Sequence, residues 1–180
     1  FSVKLDGPLD MRMNPQRGQP ASAFLQGIKP DKLVELLVEN ADEPKAGELA
    51  AVLAGKHFAT TMALAKTIRE NHPGGSKAEA DLTVRRVFQA LRIAVNDEFS
   101  ALETFLRHLP ACLNPGGRVA VLTFHSGEDR RVKKAFEAGL RSGHYGAVAE
   151  EVRRPSAAER NGNPRSAPAK LRWAVRATVA

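Results

Sequence analysis

From Thr123 to Arg130 the chain reads Thr-Phe-His-Ser-Gly-Glu-Asp-Arg, passing from apolar to polar within two residues. An imidazole, a hydroxyl, two carboxylates and a guanidinium are gathered there, the side-chain types that move protons and hold polar substrates. A second group, Asp10-Met11-Arg12-Met13, sets an acid two residues before a base in a Gly- and Pro-rich stretch. A third, Asn163-Pro164-Arg165-Ser166, offers an amide suited to base-edge or turn hydrogen bonds and a guanidinium suited to phosphate. Each has a plainer reading beside the chemical one. His125, Ser126 and Asp129 all suit capping roles, with Ser126 or Asp129 accepting from the first turn of a following helix, Asp10 and Arg12 suit a surface pair, and Asn-Pro is foremost a turn signal.

Other chemistries fit less well. His57, His72, His108, His125 and His144 show no HxxxH or HExxH spacing and there is a single cysteine, so no metal is expected. Ser126 adjoins His125, whereas a hydrolase elbow flanks its serine with glycines on a strand-to-helix turn. Neither GxGxxG nor GxxxxGK[ST] occurs, so no standard phosphate-cradling loop is expected.

Positioning the first group requires a strand. Leu113-Asn-Pro-Gly-Gly-Arg118 is a tight turn and Val119 to Phe124 an apolar run, which predicts a strand buried on both faces in a parallel sheet covered by helices. Gly116 to Arg130 is thus read as strand plus loop, with a helix following through Val132, Ala135, Phe136 and Leu140. Ligands of open α/β sheets bind at the carboxyl ends of strands, which is where His125 falls. Upstream, Val84, Val87, Phe88, Leu91, Val95, Phe99, Leu102 and Leu106 predict one helix from about Leu82 to Leu109, with Arg85, Arg86, Arg92, Asp97 and Glu103 on a solvated face.

Before it, helices are expected from Asp31 to about Asn40, Lys45 to Leu53 and Phe58 to Ile68, forming an all-α block ended by Pro73-Gly74-Gly75-Ser76. Phe1 to Pro20 reads as loop. The tail holds strand candidates Ala147 to Val152 and Ala169 to Val175, an antiparallel hairpin joined by the Pro- and Asn-rich connector Pro155 to Pro168.

With 27 Lys and Arg against 20 Asp and Glu, the formal charge is +7, favouring a polyanionic partner. The excess gathers late: from Gly117 onward thirteen basic residues face six acidic ones. Cys112, among Leu109, Ala111 and Leu113, is expected to be a buried inert thiol, and a lone cysteine fits a reducing compartment. No apolar run approaches membrane-spanning length, so a cytoplasmic location and no membrane partner are expected.

Three separated segments carry a resemblance: Phe1-Ser-Val-Lys-Leu-Asp-Gly-Pro-Leu-Asp-Met-Arg-Met13; Thr123 to Arg130 with Val132-Lys133; and Asn163 to Ser166 through Ala169-Lys-Leu-Arg172. Together with Arg86 to Ile93, Val95-Asn96 and Glu98, they closely resemble the bacterial small-subunit (16S) ribosomal RNA cytosine-N4 methyltransferases in order and spacing. The resemblance implies an α/β fold, a partial class I (Rossmann-like) methyltransferase sheet with an inserted all-α subdomain. Residues 1–20 would be an active-site loop segment, 21–80 the inserted substrate-recognition subdomain, and 81–180 the C-terminal part of the methyltransferase domain.

It further implies S-adenosylmethionine as methyl donor, no metal, and a cytidine amine of ribosomal RNA or the 30S subunit as acceptor. The family's donor-gripping turns precede the segments matched here, so the chain is expected to be the downstream part of the enzyme, inactive alone and without donor-binding residues of its own. A non-catalytic RNA-binding module, or a parent that methylates another RNA or a protein amine, stays open. Asp10, Arg12, Phe124, His125, Ser126 and Asp129 are the expected catalytic residues, and Arg86, Arg92, Arg130, Asn163, Arg165 and Lys170 the expected RNA contacts. An exposed sheet edge would invite a homodimer. The sequence departs from the family pattern at Ala41-Asp42-Glu43, at Leu82-Thr83 and at Gly127, where a larger apolar residue is usual.

Overall fold

The computed structural model describes residues 5–72 and 75–178. The first four residues of the resembling segment, Phe1 to Lys4, and the Pro73-Gly74 break therefore lie outside the described residues. The chain divides into two units, Phe1–Glu98 and Phe99–Ala180.

The first unit is helical. It comprises α1 (Ala21–Gly27), α2 (Pro30–Ala41), α3 (Ala46–Leu53), α4 (Thr61–Glu70) and α5 (Lys77–Asn96). Their apolar stripes close on Leu25, Leu33, Leu37, Leu49, Leu53, Leu64, Ile68, Val84, Val87 and Leu91, all essentially inaccessible to solvent. Helix α1 was not expected, and α5 begins five residues before the expected Leu82. Ser76 caps it, accepting from the Glu79 amide while the Glu79 carboxylate accepts from the Ser76 amide. Pro8 forms an isolated antiparallel bridge with Thr60, which pins the opening loop to the head of α4.

The single helix expected from Leu82 to Leu109 is two. Asp97 takes a left-handed conformation (φ 51°, ψ 40°) that ends α5, and α6 (Glu98–His108) starts afresh. An unbroken apolar stripe conceals such a break, because a short polar residue in left-handed geometry shifts the helix without interrupting the pattern.

In the second unit, β1 (Arg118–Thr123), β2 (Tyr145–Val148) and β3 (Lys170–Arg176) form a sheet of order β1-β3-β2. Both pairings are antiparallel, with Arg118 opposite Val175 and Thr123 opposite Lys170. This corrects the expected parallel surroundings: the neighbour of β1 is the tail strand β3. The two tail strands pair as expected, but β3 lies in the middle, and the connector contains α8 (Ala157–Gly162), capped by Ser156. The other edge of β1 has no strand partner among the described residues.

Burial corrects the second part of the strand reading. Val119 and Val121 pack toward Leu106, Leu109, Val132, Phe136 and Tyr145, whereas Ala120 and Leu122 face outward, Leu122 being 53% exposed. One face is covered, by α7 (Ser126–Arg141) and the body of α6, so β1 alternates as a half-covered antiparallel strand does. Cys112 is likewise exposed rather than buried, since only Leu109 of the one-turn 3-10 helix Leu109–Cys112 enters the core.

Candidate active-site loops

In the first unit, Leu9 and Met11 are buried at 1% and 4% exposure, which turns Asp10 and Arg12 outward between them. Met11 has φ 63°, and in this left-handed turn the Asp10 carboxylate accepts from the Arg12 backbone at 3.1 Å. The same carboxylate accepts from Arg12 Nε at 2.7 Å and Nη2 at 2.8 Å, a two-point pairing that fixes both side chains. The Arg12 hydrogen bond holds the Asp10 carboxyl below its ordinary range, outweighing the opposing effect of burial.

The loop is clamped by Asn96, whose amide donates to the Met11 carbonyl at 2.8 Å and accepts from the Met13 amide at 2.7 Å. Asn96 also donates to the Arg92 carbonyl one turn earlier on α5. Asn96 lies within the resembling helix, and neither its type nor its spacing marks this clamp. Of the expected RNA contacts in this unit, Arg92 is paired with Glu98 at 2.7 and 2.8 Å, and Arg86 lies 3.8 Å from the buried Glu43. The helix face expected to be solvated is thus partly committed to ion pairs.

In the second unit, β1 delivers Phe124, 51% exposed, and His125 to the start of α7. Of the three expected capping candidates, His125, Ser126 and Asp129, the cap is His125. Its Nδ1 accepts from the Glu128 amide at 3.4 Å, while Glu128 Oε2 accepts from the Phe124 and His125 amides at 2.9 and 3.4 Å. This is the reciprocal arrangement of Ser-x-x-Glu with an imidazole in the serine's place, which is why the string did not disclose it. Ser126 becomes the first, exposed residue of the helix.

With Nδ1 accepting, the neutral ring carries its proton on Nε2. Nε2 is buried without a hydrogen-bond partner, 3.3 Å from Glu128 Oε1. Burial pushes the Glu128 carboxyl up, but the His125 ring and the Phe124 amide outweigh it, leaving the group below its usual range. Phe99 wedges beneath the turn, its ring 5.8 Å from the imidazole and stacked under the Arg131 guanidinium at 3.5 Å. A Cβ at Gly127 would come within 2.6 Å of that ring, so the departure from the usual larger residue has a local cause.

Asp129 is bound to Arg172 of β3 at 2.7 and 3.3 Å and lies 3.5 Å from Lys170. Burial raises its pKa, but the Arg172 hydrogen bond and the charges of Arg172 and Lys170 outweigh that effect, leaving the carboxyl below its ordinary range. The second unit therefore brings together Phe124, His125, Ser126, Asp129, Arg130 and Lys170 around one strand-to-helix turn. Asn163 instead caps the 3-10 turn Pro164–Ser166 leading to β3, accepting from the Arg165 amide at 3.2 Å, and both side chains are exposed. No group of three or more His, Cys, Asp and Glu residues suited to a metal occurs among the described residues, and no helix there is long and apolar enough to cross a membrane.

A strand feeding a polar turn at a helix N-terminus, in an α/β protein with a helical unit, is an architecture shared by many enzymes. Its class is given by comparison: the family model described as MraW methylase matches residues 1–177, and the chain belongs to that family. It is 46% identical to ribosomal RNA small subunit methyltransferase H 2 of Alkaliphilus metalliredigens over 98% of this chain and 53% of that relative. A protein named ribosomal RNA small subunit methyltransferase H 1, from Lachnoclostridium phytofermentans, is also 46% identical, over 98% of this chain and 51% of its own. The corresponding methyltransferase H of Prochlorococcus marinus is 41% identical over 98% and 57%. The chain spans about half the length of the curated relatives it matches.

Proposed function

We propose that this chain is the downstream part of an S-adenosylmethionine-dependent enzyme that methylates the N4 amine of a cytidine in small-subunit (16S) ribosomal RNA. The observation that carries the reading is the turn at the end of β1, where an exposed Phe124 ring stands beside a rigidly capped His125 and the hydroxyl of Ser126. Family membership and relatives named for small-subunit rRNA methylation support it.

On this reading β1 belongs to a class I sheet, its open edge taking a parallel neighbour while β3 and β2 close the sheet as antiparallel strands. Residues 1–20 are the active-site loop segment, 21–80 the inserted substrate-recognition subdomain and 81–180 the C-terminal part of the methyltransferase domain. The donor supplies an electrophilic methyl group. On this reading most of the donor's site lies in the part of the enzyme that this chain does not span, and at the strand end Glu128 is committed to the cap and Asp129 to Arg172 and Lys170.

The chain's own residues act on the acceptor. Phe124 stacks on the unstacked base, as aromatic side chains do in single-stranded RNA recognition. In the first unit, taken by itself, Asp10 is kept ionised by Arg12 and suits a hydrogen bond from an amine, as acidic side chains do. His125 and Ser126 orient the base edge, while Arg130 and Arg165 meet phosphates. Arg86, Arg92, Asn163 and Lys170 complete the RNA-facing set, Arg92 and Lys170 also bracing their neighbours. The enzyme works in the cytoplasm, where its substrate is.

The test is to incubate the protein isolated from its own cells with undermethylated small subunits and methyl-labelled donor. Label is expected in N4-methylcytidine; label on another base or on ribosomal protein overturns the reading.

A further inference from the structure

A cavity of about 670 Å³ lies between α6, the 3-10 turn after it, α7 and the start of β2, wholly within the second unit. Its lining carries four cationic side chains, Arg107, Arg131, Lys134 and Arg176, against one carboxylate, Glu103. Glu103 is already neutralised by Arg131 at 2.8 Å. Arg176 spends one guanidinium nitrogen on the His144 carbonyl at 2.9 Å. Arg107 and Lys134 are exposed and have no ion-pair partner among the described residues. Like charges concentrated around one concavity raise the local potential and favour an anion in it.

A second observation points the same way. Tyr145, which also lines the cavity, is 3% exposed, yet its hydroxyl has no hydrogen-bond partner, a state that costs free energy until a partner arrives. Its ring is held edge-on against Phe136 and across Gly139, where a Cβ would come within 2.5 Å of it. Burial pushes the Tyr145 hydroxyl's pKa up and the charge of Arg176 pulls it back, so a neutral donor stands near a cation. Leu106, Pro110 and Ala138 give the cavity an apolar wall on which a flat ring can lie.

The cavity runs along α7 from Arg131, which also stacks on Phe99 beneath the His125 turn, to Arg176 at a distant end. Arg176 follows Val175, the partner of Arg118 at the start of β1, whereas His125 follows its end. Six strand residues separate the two ends by roughly 20 Å.

We propose that this cavity binds the phosphate of a nucleotide, Arg107, Lys134 and Arg176 meeting the anion with the Tyr145 hydroxyl as neutral donor, and the apolar wall taking the base. The nucleotide is either part of an RNA or free in solution, and the chemistry recognised is the same. It goes beyond the methyl-transfer reading and does not depend on it.

The experiment titrates the 180-residue chain by calorimetry with cytidine, cytidine 5′-monophosphate and a short single-stranded RNA. Binding of the phosphate-bearing probes but not of cytidine is expected. Arg107→Glu with Lys134→Glu should weaken it at least about tenfold, because charged hydrogen bonds are lost and two repulsions are introduced. Tyr145→Phe should weaken it severalfold with no loss of thermal stability. Arg153→Glu with Arg154→Glu changes net charge equally on exposed residues outside the cavity lining and should leave monophosphate binding within about twofold. Tighter binding of RNA in competition with monophosphate identifies a polymer contact; equal binding identifies a free-nucleotide site. The proposal is overturned if neither phosphate probe binds, if the cavity variants bind as the wild type does, or if both charge-reversed pairs weaken binding equally.

Discussion

Replacing Asp129 by Ala should be among the most damaging single changes in the second unit. The Asp129 and Arg172 side chains are only 13% and 9% exposed, and Arg172 reaches the carboxylate through Nε at 2.7 Å and Nη2 at 3.3 Å, with Lys170 a further 3.5 Å away. Truncation leaves two cations half sequestered without a counter-charge. Breaking such a buried pair costs about 3 kcal/mol. In a chain of this size that lowers the melting temperature by roughly 10 °C. Replacing Arg172 by Met in the same chain removes the uncompensated charge and should recover part of the loss.

The effect carries a pH signature. The folded Asp129 carboxyl ionises more readily than the unfolded one, because Arg172 and Lys170 outweigh burial. Its stabilisation is therefore complete above the ordinary aspartate range and disappears as pH falls through the folded value. Urea unfolding of wild type and Asp129→Ala from neutral to acid pH should give curves that differ by about 3 kcal/mol at pH 7 and converge below pH 4. A difference under about 0.5 kcal/mol at pH 7, or one that stays constant into acid, would refute the clamp.

Three further outcomes follow from the geometry. Phe124→Ala should leave stability within about 0.5 kcal/mol, since the ring is half exposed, while weakening RNA engagement about tenfold in a filter-binding assay. Gly127→Ala should destabilise by about 1–2 kcal/mol in chemical unfolding despite alanine's better helix propensity, because its Cβ meets Phe99 at 2.6 Å, and Phe99→Leu in the same chain should reduce that cost. Cys112 should react in the folded protein with a thiol reagent at close to the rate of an unfolded control, whereas strong protection would contradict its exposure.

Much of the fold was legible in the sequence, and the failures have particular causes. Pro30 and the stripe of Leu33 and Leu37 announce α2, and Gly116-Gly117 followed by an apolar run announces β1 within a residue of its bounds. The same run misled on surroundings, because Leu122 and Phe124 are apolar yet outward-facing, and hydrophobicity alone does not separate a buried strand from one with an open face. Two helix starts carried signals that the apolar pattern overshadowed: Ser76 with Glu79 and Ser156 with Glu159 both fit the Ser-x-x-Glu capping pattern. At the site, residue type marked His125 and Asp10. Their supports, Glu128 and Asn96, depend on hydrogen bonds that spacing alone does not disclose, and Asn96 acts across 83 residues of chain.

The most direct test of the central claim is nucleoside mass spectrometry of small-subunit ribosomal RNA from cells lacking this protein. Methylation at the N4 position of one cytidine is expected to be lost, and to be restored by the wild-type gene but not by one carrying Asp10→Ala with His125→Ala. Cytidine methylation unchanged from the parent strain would contradict it.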